Sequence, residues 1–206
     1  MKEPRWICIT GLDGAGKSSL VKNILEDKEW QGQKVVREVT IWDYFTLPPE
    51  ERFLHVKSKL DVDNYLGRLD TVSRSYFLLH CLAHSVHLAR KSDVDIAILN
   101  GYWYKYMASE VAYGGDREKL VKWAEILPEP ETIFVLNIPI STAAERKEFF
   151  SGYESGFPNN RDKKAFAKFQ VKVHDAFDEI MKNKKTHSLN GEKTLNELKN
   201  EVLNYF

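Results

Sequence analysis

A chain of 206 residues with 43% hydrophobic and 29% charged side chains has the composition of a folded protein rather than a disordered one. It can bury a sizeable core in one domain but is short for two. Its thirty basic and thirty acidic residues cancel, so no global field recommends nucleic acid or a membrane surface as partner.

No run approaches the ~20 apolar residues that span a bilayer, and the first residues carry no secretion-signal pattern. The two cysteines, Cys8 and Cys81, stand in apolar runs and read as buried free thiols, which suits a reducing cytoplasm.

In chain order, residues 5–10 read as a first strand, 18–28 as the helix after it and 34–37 as a short β-branched second strand. Residues 64–90 repeat Leu66, Leu69, Val72, Phe77, Leu78, Leu82, Val86 and Leu88 at roughly helical spacing, which predicts one long helix. Strands follow at 95–99 and 132–138, with helices over 102–113 and 117–127 between them. Ser141 can cap a helix running to residue 147, and 151–160 gathers Gly, Ser, Pro and Asn into an exposed loop. A helix over 163–182, a strand at 186–189 and a closing helix over 194–203 complete the chain. Strands alternating with helices predict parallel pairing with helices on both faces, a three-layer α/β/α sandwich of about five strands. With no repeat or linker to divide it, residues 1–206 read as a single domain.

The strongest local signal is Gly11-Leu12-Asp13-Gly14-Ala15-Gly16-Lys17-Ser18, the Walker A spacing placed between a strand and an amphipathic helix. Glycines at 14 and 16 let the backbone curl so that successive amides face a phosphate. The helix N-terminus adds partial positive charge, Lys17 reaches the β- and γ-phosphates, and the Ser18 hydroxyl ligates Mg²⁺. Asp13, Gly14, Ala15, Gly16, Lys17, Ser18 and Ser19 are therefore candidate ATP contacts, with Lys17 also catalytic.

The run from Ile9 to Ser19 resembles the first strand and loop of the thymidylate kinase family, including the acid within the loop. The resemblance implies a P-loop NTPase fold and transfer of phosphate from ATP–Mg²⁺ to a nucleoside monophosphate, dTMP above all. It also implies a homodimer, for which the helix over 64–90 is a candidate interface. In the family the loop acid faces the acceptor sugar, a place Asp13 takes here; otherwise it is a solvated loop carboxylate. Arg37-Glu38 is similar to the family's Arg-Glu-Pro, with Val39 for the proline, and puts Arg37 near the acceptor phosphate.

The third strand departs from the pattern. Where the family has Asp-Arg-Tyr, this chain has Asn100-Gly101-Tyr102, keeping the tyrosine as a candidate substrate contact and losing both charges. Lys105, one helical turn on, is a candidate replacement for the arginine. Arg68 and Arg74 precede or enter the long helix where the family carries another phosphate-binding arginine. Asn100 can hold a metal-bound water, with Glu38 and Asp43 as candidate substitutes for the acid. Ala112-Tyr113-Gly114-Gly115 is similar to the family's Ala-Tyr-Gln-Gly but stands a helical turn late, and ungapped counting puts Glu110 at the base contact instead.

Ala143-Ala144-Glu145-Arg146-Lys147 is similar to the helix entering the family's lid, here near 146–164. Since members with glycine at the position of Gly14 carry a catalytic arginine in the lid, Arg146 and Arg161 are the candidates, ahead of Lys147, Lys163 and Lys164. Trp42, with Tyr44 and Phe45, encloses the acceptor base or packs the core. Asn190, between the last strand and helix, borders the adenine. A deoxynucleoside or other small-molecule kinase, and a nucleotide-binding protein without turnover, remain as alternatives.

Overall fold

The computed structural model describes residues 3–27, 34–48, 58–156 and 161–205. Among these, five parallel strands form one sheet: β1 (Arg5–Thr10), β2 (Val36–Val39), β3 (Ile96–Asn100), β4 (Thr132–Asn137) and β5 (His187–Asn190), in the order β2-β3-β1-β4-β5. The helices are α1 (Lys17–Leu25), α2 (Lys59–Leu66), α3 (Thr71–Lys91), α4 (Tyr102–Ala112), α5 (Arg117–Ala124), α6 (Ile140–Arg146), α7 (Lys163–Met181) and α8 (Leu195–Leu203).

Neighbouring side chains of a strand point to opposite faces, and both faces here are apolar. Trp6 and Cys8 join Val39, Leu99 and Val135 against α2, α3, α4 and α7. Ile7 and Ile9 join Ile96, Ile98, Phe134, Leu136 and Leu189 against α1 and α8. The expected three-layer sandwich follows, and β1 at its centre delivers the Walker A loop to the carboxyl edge of the sheet, where open α/β sheets bind ligands.

Two expectations need correction. The stretch read as one helix over 64–90 is two, α2 and α3, separated at Gly67–Asp70. The Asp70 carboxylate accepts the Ser73 amide and starts a new helix there. The break is short enough for the apolar spacing to run across it. Nor does Ser141 cap a helix: α6 begins at Ile140, and the Ala143 amide closes the first turn on the Pro139 carbonyl at 2.9 Å, leaving Ser141 inside. Other boundaries shift by one to three residues. Residue 28 of the expected first helix, 157–160 of the lid loop, and the side chains of Tyr44 and Phe45 lie outside the described residues.

Candidate active site

The loop after β1 is held from both sides. The Thr10 hydroxyl donates to the Gly101 carbonyl at 2.9 Å, and the Gly101 amide donates to the Ile9 carbonyl at 2.9 Å. Gly14, at φ 81°, passes so close to α6 that a Cβ there would lie 2.7 Å from the Ala143 carbonyl oxygen. Any side chain would force the phosphate loop and α6 apart. Gly16 precedes α1, and the Lys17 ammonium donates to the Leu12 carbonyl at 2.6 Å across the loop. Burial holds Lys17 down to about 8, with Asp13 opposing and Lys105 and Lys147 adding to the depression.

Beside this cradle opens a cavity of about 410 Å³. Its charged end brings together Asp13, Lys17, Lys105, Lys147 and Glu154; Trp42, Tyr106 and Phe149 contribute aromatic wall. Asp13 and Lys105, both buried, pair at 2.9 Å, while the second Asp13 oxygen has no hydrogen-bond partner. Burial pushes the Asp13 carboxyl up, but Lys105, Lys17 and Lys147 together pull it below the ordinary carboxylate value. Across the cavity Lys147 meets Glu154 at 2.9 Å. Burial, reinforced by the Asp13 charge, raises Glu154 above its ordinary value.

The expected sugar, cation and aromatic contacts Asp13, Lys105 and Trp42 thus meet in one cavity, together with Gly14, Gly16, Lys17, Ser18 and Ser19 of the loop. Other expected contacts are engaged elsewhere. Tyr102, fully buried, donates its hydroxyl to the Pro128 carbonyl at 2.7 Å. Glu110, fully buried, takes Arg74 at 3.0 Å and the Tyr153 hydroxyl at 3.0 Å, a closed set behind the cavity wall. Burial raises the Glu110 carboxyl in spite of Arg74. Arg37 faces away, toward Ser92 at 3.2 Å and Asp43 at 3.7 Å.

Arg146 and Arg161, the arginines expected in a lid, are also placed apart from the cavity. Arg146 donates to the Gly191 carbonyl at 2.9 Å, next to Asn190 at the β5–α8 connection. Arg161 pairs with Asp63 at 3.0 Å and donates to Asn64 at 2.8 Å. Asp63, buried in the cavity wall, also accepts the Gly152 and Tyr153 amides at 2.9 Å each and so ties the backbone there to α2.

Lys147, ranked below the arginines from the sequence, and Glu154, unremarked there, are cavity residues. The cause is local: α6 ends at Arg146 and Lys147 is extended (φ −93°, ψ 128°), so consecutive basic side chains part to opposite sides. Lys59, another lining residue, sets its ammonium 4.9 Å from the centre of the Trp42 ring. On the far side of the cradle, the Asn100 amide donates to Ser18 Oγ at 3.1 Å and to Glu38 Oε1 at 2.6 Å. The Ser18 hydroxyl and the Glu38 carboxylate, bridged by the Asn100 N–H₂ group, are hard oxygen donors of the kind that fits Mg²⁺.

No protein-family model matches the chain. Over 146 residues, 68% of each chain, it is 27% identical to a protein named probable thymidylate kinase 1 from Saccharolobus solfataricus. Over 203 residues, 96% of this chain and 91% of the other, it is 23% identical to the thymidylate kinase of Brachyspira hyodysenteriae. A solved thymidylate kinase from Candida albicans shares the fold with a TM-score of 0.65 at 16% identity, the match covering 98% of this chain and 91% of that one. The phosphate cradle and the five-stranded order agree with these likenesses: in sequence the chain is similar to proteins named thymidylate kinase, and it shares the fold of a solved one.

Proposed function

We propose that this protein transfers the γ-phosphoryl group of ATP to a nucleoside monophosphate, with dTMP its principal acceptor. The observation that carries the reading is the convergence of Lys17, Lys105 and Lys147 on one cavity beside the phosphate loop. Two phosphorylated substrates meeting end to end need that density of positive charge, whereas a neutral nucleoside does not. A monophosphate is already a nucleophile and requires no general base, so catalysis reduces to positioning and to neutralising charge.

In this reading the loop amides and Lys17 take the β- and γ-phosphates, and the phosphates draw the ammonium away from the Leu12 carbonyl. Lys105 and Lys147 face the acceptor phosphate and the group in transfer. The free oxygen of Asp13 accepts a hydrogen bond from the acceptor sugar, and Trp42, Tyr106 and Phe149 flank the base. Mg²⁺ bound with the nucleotide neutralises phosphate charge, and Ser18, with Asn100 beside it, would hold it. Arg146 and Asn190 border the adenine. The segment near 146–164 acts as a lid that excludes water, within one domain.

Among the described residues no helix is long and apolar enough to cross a membrane. We place the protein in the cytoplasm, as a homodimer that would cover the exposed Val72 and Tyr76 of α3.

The reading is tested by ADP release from ATP–Mg²⁺ with dTMP, dUMP, other monophosphates and thymidine. Turnover with dTMP well above the rest is expected. Turnover with nucleosides alone would replace the proposal with a nucleoside kinase, and ATP binding without acceptor-dependent ADP would leave a nucleotide-binding protein.

A further inference from the structure

The third strand ends in Asn100, a neutral side chain at the position where a P-loop kinase needs negative charge on the metal side of its nucleotide. The pleat of the sheet supplies an alternative. β2 and β3 run parallel, with Glu38 opposite Ile98 and Val39 opposite Leu99. Val39 and Leu99 point into the α3 layer, whereas Val36 packs with Ile96 and Ile98 against the α1 layer. By the two-residue period of a strand, Glu38 therefore shares the face of Val36, and Asn100 the face of Ile98. That face looks onto the first turn of α1, where Ser18 stands. The result is the continuous row already described, Glu38 Oε1 to Asn100 Nδ2 at 2.6 Å and Asn100 Nδ2 to Ser18 Oγ at 3.1 Å.

We propose that Glu38, reaching in from β2, supplies the carboxylate charge that holds the nucleotide's Mg²⁺ in this protein, with Asn100 as the spacer between it and Ser18. The inference rests on the phosphate-loop reading but not on the identity of the acceptor. It accounts for a neutral third-strand residue without loss of the metal. It also explains why Asn100 is an amide: its N–H₂ group donates to both the Glu38 carboxylate and the Ser18 hydroxyl, a bridge that a second carboxylate could not make. Arg37, one residue earlier, falls on the opposite face by the same alternation and is spent on Asp43 and Ser92.

The test needs no acceptor and no turnover. Mn²⁺ serves as probe, its affinity measured by electron paramagnetic resonance of the free ion in the presence of a non-hydrolysable ATP analogue. Binding of the analogue alone is measured in EDTA. Glu38→Gln keeps an oxygen for the Asn100 amide and removes only the charge. It should weaken Mn²⁺ about tenfold or more, in the range reported for residues supporting a metal's ligands, and leave metal-free analogue binding unchanged. Adding Asn100→Asp to Glu38→Gln moves the carboxylate one position along the row and should restore most of the Mn²⁺ affinity. Unaltered Mn²⁺ affinity in Glu38→Gln would overturn the proposal. So would an equal loss of metal-free analogue binding, which would mark Glu38 as a structural support of the loop, or a double variant no better than the single one. Since dTMP takes no part, a failed acceptor assay leaves the metal result standing, and the reverse holds too.

Discussion

Lys105 places its ammonium 2.9 Å from the carboxylate of Asp13, joining α4 to the phosphate loop through a pair that is all but sealed from solvent. Removing one member strands the other as a buried charge, at a cost of about 3–5 kcal/mol, whereas removing both costs less. Lys105→Met should therefore lower the melting temperature sharply, and the double variant Asp13→Asn with Lys105→Met should recover part of that loss. Both should turn over dTMP at least about a hundredfold more slowly, the scale of losing one preorganised charge partner. Calorimetric melts of Lys105→Met, Asp13→Asn alone and the double variant against the parent decide the coupling; strictly additive losses would contradict it.

The low Lys17 value makes ATP capture pH-sensitive. Burial, the largest cause, brings the free ammonium to about 8, below the ordinary 10.5. As the pH rises through 8, the ligand-free enzyme loses the charge that meets the phosphates. The kcat/KM for ATP should fall on the alkaline side with a midpoint near that value. Bound phosphate favours the charged lysine, so kcat itself should hold to higher pH. A kcat/KM profile flat to pH 9.5 would refute this.

Gly101 sits at φ 77°, ψ −45°, a backbone conformation closed to ordinary L residues. A Cβ there would meet only Lys17 Cε, at 3.7 Å, so the obstacle is backbone strain rather than space. Gly101→Ala should cost about 1–2 kcal/mol. Restoring the family's charged pair by Asn100→Asp with Gly101→Arg should reduce activity rather than raise it, because the arginine would strain the turn and displace Lys17. Faster dTMP turnover in that double variant would show that the backbone accommodates the arginine.

Lys147 and Arg161 exchange their expected ranks. Lys147 opens onto the cavity, while Arg161 is held by Asp63 and Asn64. Lys147→Ala should lower kcat by about a hundredfold, and Arg161→Ala should act mainly on the lid, raising hydrogen exchange at the Gly152 and Tyr153 amides. Asp63→Ala should raise that exchange further, because both amides lose their acceptor. Steady-state rates with exchange on the same preparations separate the roles.

The sequence carried the layers of the fold well, because the strands are short apolar runs and Walker A needs a strand before it and a helix after it. It also brought Asp13, Lys105 and Trp42 to notice. What it could not resolve is single-residue phase. Arg37 and Glu38, both named from the sequence, divide between two faces of a sheet, and Arg146 and Lys147 divide where a helix ends, so a shift of one position turns a side chain to the opposite side. Tyr102 and Glu110 were misplaced for another reason. Their polar atoms are satisfied by Pro128 and Arg74, which are distant in sequence and belong to elements whose packing no local pattern records.

In the proposed reading, Asp63 belongs at once to the wall of the acceptor's cavity and to the fastening of the lid. An acceptor too broad for the wall would press α2 outward, and the backbone at Gly152 and Tyr153 would travel with it. Fit at the base would thus be reported to the phosphates as a gap or a seal. A misfit acceptor would betray itself as futile ATP hydrolysis, water entering where the second substrate failed to close the door.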